Sequence, residues 1–196
     1  MQWKRRFEIL KGTFGRGVYP HEMGFSLTLP LRRLVLSPGT LADRLSLDES
    51  ARVLELGPGP GYFSIEVARR VPVGGLELFD LQYGMLETAQ RRLEAANAHH
   101  VGLTQGDGRW LPFADQTFDV VFTVAVLGEV PDPRACVREI HRVLRSGGTF
   151  SNTEQPGDPD FLPPNVVCEM AESAGFGFVE QFGNGKNYTV NFEKLT

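Results

Sequence analysis

The sequence predicts an α/β fold, a doubly wound, mostly parallel sheet that ends in an antiparallel hairpin, within a single domain. Three observations predict it. Short apolar runs alternate with helical patterns from residue 52 onward. A glycine run, GPGPG, stands directly between the first of those runs and the first of those helices. Near the end, two runs rich in aromatic and β-branched residues flank GNGKN. Strands separated by helices require right-handed crossovers, which place a parallel sheet between two helical layers. Asn184-Gly185 is a hairpin turn signal, so the last pair is antiparallel.

Taken in order, Pro30 opens a Leu-rich stretch, LRRLVL, that Pro38 stops. Ser37 and Pro38 suit the N-cap and first residue of a helix through TLADRL, with Leu41 and Leu45 one turn apart. Arg52 to Leu56 (RVLEL) is a short buried strand. Tyr62 to Val71 is helical, with Phe63, Val67 and Val71 at i, i+4 and i+8. Leu76 to Phe79 is a strand ending at Asp80, and Met85 to Ala96 is a helix. Val101 to Thr104 and Phe118 to Val124 are the third and fourth strands. Arg134 to Leu144 is a helix that stops at a Gly147-Gly148 turn, and Thr149 to Asn152 is the fifth strand. Phe178 to Phe182 and Tyr188 to Phe192 form the hairpin.

The chain has 196 residues, 24 acidic and 20 basic, for a formal charge of −4; 41% of residues are hydrophobic and 22% charged. Those values describe a globular chain and exclude a disordered one. Cys136 and Cys168 lack thiol or histidine partners at metal spacing, which argues against a disulfide framework, a structural zinc site or any metal centre. Val120 to Leu127 is too short to span a bilayer. The start, MQWKRRFEILK, lacks the apolar core of a secretory signal, so the expected location is cytoplasmic. Residues 1–40 carry seven basic groups against Glu8 and Glu22, a net +5 that leaves −9 for the remainder. They form an expected N-terminal arm, with residues 41–196 as the main domain. The arm either covers the site as a lid or docks on the acidic body.

The chemistry concentrates at the carboxyl ends of three successive strands. Gly57, Gly59 and Gly61 let the backbone turn sharply and let a ligand approach with no β-carbon in the way. The spacing is neither G-x-G-x-x-G nor a Walker loop, which disfavours dinucleotides and nucleoside triphosphates. Glu55, two residues before the loop, suits an amino group better than a phosphate. Asp80 follows Gly57 by 23 residues and ends the second strand, where an acidic side chain can take both hydroxyls of a ribose. Asp107, in QGDGRWLPF after the third strand, suits an adenine amino group, with the Gly108 amide near the ring.

Together VLELGPGPG, DLQYGMLETA, GDGRWLPF, FDVVFTVAVLGEVPD and REIHRVLRSGGTF resemble the class I S-adenosylmethionine-dependent methyltransferases. The small enzymes related to quinone biosynthesis are the most similar subgroup. The resemblance covers about Arg52 to Asn152 and implies a Rossmann-like sheet, S-adenosylmethionine as cofactor and a methyltransferase domain at 41–196. It implies that Glu55, Gly57, Gly59 and Gly61 hold the methionine end. It implies further that Asp80 takes the ribose hydroxyls and that Leu81 and Met85 pack near the adenosine, with Gln82 beside the ribose. Asp107 and Gly108 would read the adenine edge, and the Thr123 backbone would lie near the cofactor amino group. Gln82 stands where the subgroup often has serine, and Glu129 stands before Val130-Pro131-Asp132 where many relatives have histidine.

The implied reaction is in-line displacement at a sulfonium methyl, catalysed by positioning and exclusion of water. The expected acceptor is a small, partly apolar molecule beneath residues 1–40 and the loop PGDPDFLPP. No catalytic base is assigned: His21, Glu129, Glu154 and His141 are candidates, His141 being expected on the surface, with Tyr19 and Tyr188 as substrate contacts. His99 and His100 fit a solvated loop. Nucleic acid is disfavoured by the acidic body, although the basic arm leaves RNA methylation as an alternative. A non-catalytic S-adenosylmethionine-binding subunit is the other.

Overall fold

The computed structural model describes residues 35–196. In chain order the elements are α1 (Pro38–Arg44), β1 (Arg52–Leu56), α2 (Ser64–Arg70), β2 (Gly75–Asp80), α3 (Tyr83–Ala95), β3 (Val101–Gln105) and β4 (Phe118–Val124). A short 3-10 turn (Leu127–Glu129) follows, then α4 (Pro133–Val143), β5 (Leu144–Glu154), α5 (Pro164–Ser173), β6 (Phe176–Asn184) and β7 (Asn187–Lys194). The strands form one sheet in the order β3-β2-β1-β4-β5-β7-β6. All pairs through β4–β5 are parallel, and β5–β7 and β7–β6 are antiparallel. The expected Rossmann-like, doubly wound sheet ending in a hairpin is the observed one.

Strand alternation divides the side chains between two cores. Val53, Leu76, Leu78, Val120 and Phe122 pack with Leu41 of α1, Leu45 just after it, and Val67, Leu86 and Ala89 of α2 and α3. Leu54, Leu56, Phe79, Val121 and Phe150 pack with Val137, Ile140, Val167 and Met170 of α4 and α5. Helix α1 is capped as expected, the Ser37 hydroxyl accepting from the Thr40 amide at 3.0 Å with Pro38 at the first turn. It spans the expected boundary at residue 40, and Leu36 is buried with Leu41 and Leu45. The expectations for His21, Tyr19 and residues 1–34 of the arm lie outside the described residues.

Four local readings change. Helix α2 starts at Ser64, because Gly61 to Phe63 form a turn. The Gly147-Gly148 pair does not separate helix from strand: β5 begins at Leu144, paired with Phe118, and the pairing resumes with Thr149 opposite Val120. The intervening residues bulge out, with Gly147 at a φ of 70° that suits glycine. The hairpin turn is centred on Gly185 (φ 57°) and Lys186, since Asn184 still pairs with Asn187. Helix α5 was not expected; it starts at Pro164, the favoured first-turn position, and buries Val167, Met170 and Ala171. Among the described residues no helix is long and apolar enough to cross a membrane.

Candidate active site

The sheet gathers the predicted residues at the carboxyl edge of β1, β2, β3 and β4. The loop after β1 is folded by its own backbone: the Gly57 amide donates to Phe79 O at 2.8 Å and the Gly61 amide to Pro58 O at 3.0 Å. Gly57, Gly59 and Gly61 all have positive φ, at 66°, 53° and 74°. A β-carbon on Gly57 would stand 2.5 Å from Val126 Cγ2, and one on Gly61 would stand 3.0 Å from Ala89 Cβ. Two of these glycines are therefore required by packing within the chain itself, before any ligand is considered. Glu55 is buried in β1 and accepts the Ser64 hydroxyl at 2.6 Å, which joins the strand to the start of α2.

Asp80 is only 8% exposed. Its Oδ1 accepts from the Gln82 amide at 2.8 Å and its Oδ2 from the Gly59 amide at 3.4 Å. Burial pushes its pKa up, and the backbone donors of Gln82, Gly59 and Leu81 pull it back. Among the described residues no cation pairs with it, so a carboxylate beside a glycine loop keeps acceptor capacity for a ligand's hydroxyls. After Asp80 the chain splits: Leu81 is half exposed, Gln82 sits at the N-cap of α3, and Met85 is buried. The next loop is tied to this one by the Gly106 amide on Asp80 O at 3.0 Å and by Gln105 Nε2 on Leu81 O at 3.1 Å.

Asp107 is not a free carboxylate. Arg109 closes on it from two residues away, Nη2 on Oδ2 at 2.6 Å and Nε on Oδ1 at 3.0 Å, while the Arg109 amide reaches Oδ1 at 2.9 Å. These bonds hold the Asp107 carboxyl below the usual range. Sequence reasoning missed Arg109, although GDGR places it within reach. The Gly108 backbone runs against Cys136, whose Sγ would lie 3.3 Å from an added β-carbon. Thr123, near the end of β4, is buried and donates its hydroxyl to Asn152 Oδ1 at 2.8 Å. Asn152 is a second residue that sequence reasoning missed.

The candidate bases separate clearly. Glu154 ends β5 with no exposed surface. Its neighbours are distant donors, Asn152 Nδ2 at 3.3 Å and the Leu162 amide at 3.5 Å. Burial, aided by the negative charge of Asp158, pushes it up to about 8. Tyr188 does not face a substrate: it is buried, and its hydroxyl donates to Leu162 O at 2.6 Å. That bond straps the loop after β5 onto the sheet, with Phe161 edge-on to the Tyr188 ring. His141 is half buried and edge-on to Phe176, so the expectation of a surface residue gives way to packing between α4 and β6. Glu129 lies half buried in the 3-10 turn, while His99 and His100 are exposed beside β3, as expected.

Comparison with known proteins names this arrangement. The methyltransferase-domain family matches residues 53–148, the stretch that carries the glycine loop, both aspartates and Thr123. Residues 53–148 carry a methyltransferase domain. Demethylmenaquinone methyltransferase of Listeria monocytogenes is 32% identical over 118 residues, 59% of this chain and 50% of that protein. The enzyme of the same name from Lactobacillus johnsonii is 36% identical over 110 residues, 54% and 45% of the two chains. This chain thus spans about half the length of the curated relatives it matches. Among solved structures, an S-adenosylmethionine-dependent methyltransferase from Aquifex aeolicus superposes with a TM-score of 0.83 at 19% identity, over 91% of this chain and 100% of that one. The cyclase SpnF superposes with a TM-score of 0.66 at 25% identity, over 76% and 58%. The cofactor of the methyltransferase domain is S-adenosylmethionine, and the residues present fit it: a buried acceptor that meets no cation among the described residues and a close-turning glycine loop stand on adjacent strands.

Proposed function

We propose that this protein moves a methyl group from S-adenosylmethionine to a small acceptor of the quinol class by in-line displacement. The observation that carries the reading is Asp80, a buried carboxyl that faces the glycine loop and has backbone donors but, among the described residues, no cation. In this reading Asp80 accepts from the ribose hydroxyls, Gln82 lies beside them, and Leu81 and Met85 flank the adenosine. Gly57, Gly59, Gly61 and Glu55 hold the methionine end, and the Thr123 backbone lies close to it. Asp107, already oriented by Arg109, and the Gly108 amide read the adenine edge. When bound, the cofactor supplies an electrophilic methyl on a sulfonium whose sulfur leaves neutral. The protein's part is to align the acceptor and keep water out.

The quinol class is favoured by the names of the curated relatives and by the apolar loop after β5, whose Phe161 and Leu162 pack on the core. The test is incubation with a labelled methyl donor, a short-chain demethylmenaquinol and total RNA, followed by mass analysis. Methylated quinol supports the reading. Label that appears only in RNA, or no transfer despite cofactor binding, overturns it in favour of an RNA methyltransferase or a cofactor-binding subunit. The SpnF likeness favours keeping that last outcome in view, since the fold also occurs in a cyclase.

A further inference from the structure

On the α1 side of the sheet, β5 and β7 present a polar surface where a buried sheet face is ordinarily apolar. Ser151 and Thr153 stand directly opposite Asn191 and Thr189. All four are at most 4% exposed. The other face of the same two strands carries Phe150, Val190 and Phe192. A polar group buried without a partner is costly, yet Ser151 Oγ and Asn191 Oδ1 are buried with no hydrogen-bond partner among the described residues.

Arg44, the last residue of α1, closes this square. Its Nη1 donates to Thr189 Oγ1 at 2.8 Å, and the Thr189 hydroxyl meets that of Thr153 at 2.8 Å. Asn191 Nδ2 donates to Arg44 O at 2.8 Å and to Glu180 Oε1 at 3.3 Å. The guanidinium lies 5.3 Å from the centre of the Phe182 ring. Among the described residues no carboxylate forms an ion pair with it, and partial burial alone lowers its pKa. A half-buried guanidinium that engages one side-chain acceptor among the described residues keeps donors for an anionic oxygen. The place suits an acceptor as well: Thr153 is the penultimate residue of β5, and its carbonyl accepts from Ala125, just past β4, at 2.8 Å.

We propose that Arg44 and the square beneath it form an acceptor subsite that binds a phenolic or carboxylate oxygen. Arg44 makes the contact, and Thr189 and Thr153 position its guanidinium. The proposal rests on the methyltransferase reading, and its test separates the two. Wild type, R44K, R44M and T189V are saturated with S-adenosylhomocysteine and titrated, without oxygen, with 1,4-dihydroxynaphthalene (phenolic oxygen only) and with 2-naphthoate (carboxylate only). The expected result is that one probe binds wild type and that R44M weakens it about tenfold or more. R44K restores part of the loss, T189V falls between, and S-adenosylhomocysteine affinity stays constant throughout. A probe that binds R44M as it binds wild type, or the failure of both probes on wild type, overturns the subsite. Failure of S-adenosylhomocysteine to bind wild type overturns instead the reading on which it rests.

Discussion

Asp80 and Glu154 are both buried carboxyls at the carboxyl ends of strands, yet they occupy two different regions of the same edge. At the end of β2, three backbone amides converge on Asp80 and oppose the rise that burial imposes on its pKa. At the end of β5, Glu154 has two long contacts and the negative Asp158 nearby, so its pKa is pushed up to about 8. Burial is shared; the supply of donors is not. A carboxylate with close N–H donors can serve as a ligand acceptor, whereas one whose donors are few and long is pushed toward its neutral form and joins the strap around Leu162 and Tyr188.

The largest effect comes from breaking the platform on which Asp80 rests. Gly57→Val forces a side chain into Val126 at a φ of 66°, and urea unfolding should show a loss of about 3 kcal/mol or more. Asp80→Ala leaves the fold and removes a charged acceptor. Cofactor-product affinity should fall by about 1.5–3 kcal/mol in calorimetry, and an unchanged affinity would place the ribose elsewhere.

Glu154→Gln sharpens the other side of the comparison. The folded pKa lies above the unfolded value of about 4.3, so the stability Glu154 contributes is complete below that value and is lost as pH rises through about 8. The variant cannot ionise, so its urea midpoint should gain on wild type between pH 5 and pH 9, with cofactor affinity unchanged. A constant difference across that range would show that Glu154 is not held neutral. The smallest effect belongs to Arg109→Gln, which breaks a half-buried pair. It should weaken cofactor binding less than Asp80→Ala does and move the acid limb of binding upward, because Asp107 loses the side-chain hydrogen bonds that lower its pKa while keeping the backbone one.

The strands, their parallel order and the glycine loop were legible because period-2 and period-3.6 patterns are local. So was the placement of Asp80 and Asp107 at neighbouring strand ends. Helix α5 carried a signal, Val167, Met170 and Ala171 on one face, but the proline run before it read as continuous loop. The bulge in β5 was hidden because its glycines also suit a turn. Arg109 closes on Asp107 by side-chain reach, which no helical or strand spacing reports. The raised pKa of Glu154 depends on burial and on Asp158 in the following loop, and the polar square on cross-strand register, Ser151 opposite Asn191 and Thr153 opposite Thr189, between segments that lie far apart in the chain.

Whether the glycine loop and Asp80 form a cofactor site is read by calorimetric titration of the wild-type protein with S-adenosylhomocysteine. A single site with a dissociation constant on the order of micromolar is expected, without added metal. A folded protein that gives no heat with this ligand but binds NAD would contradict it.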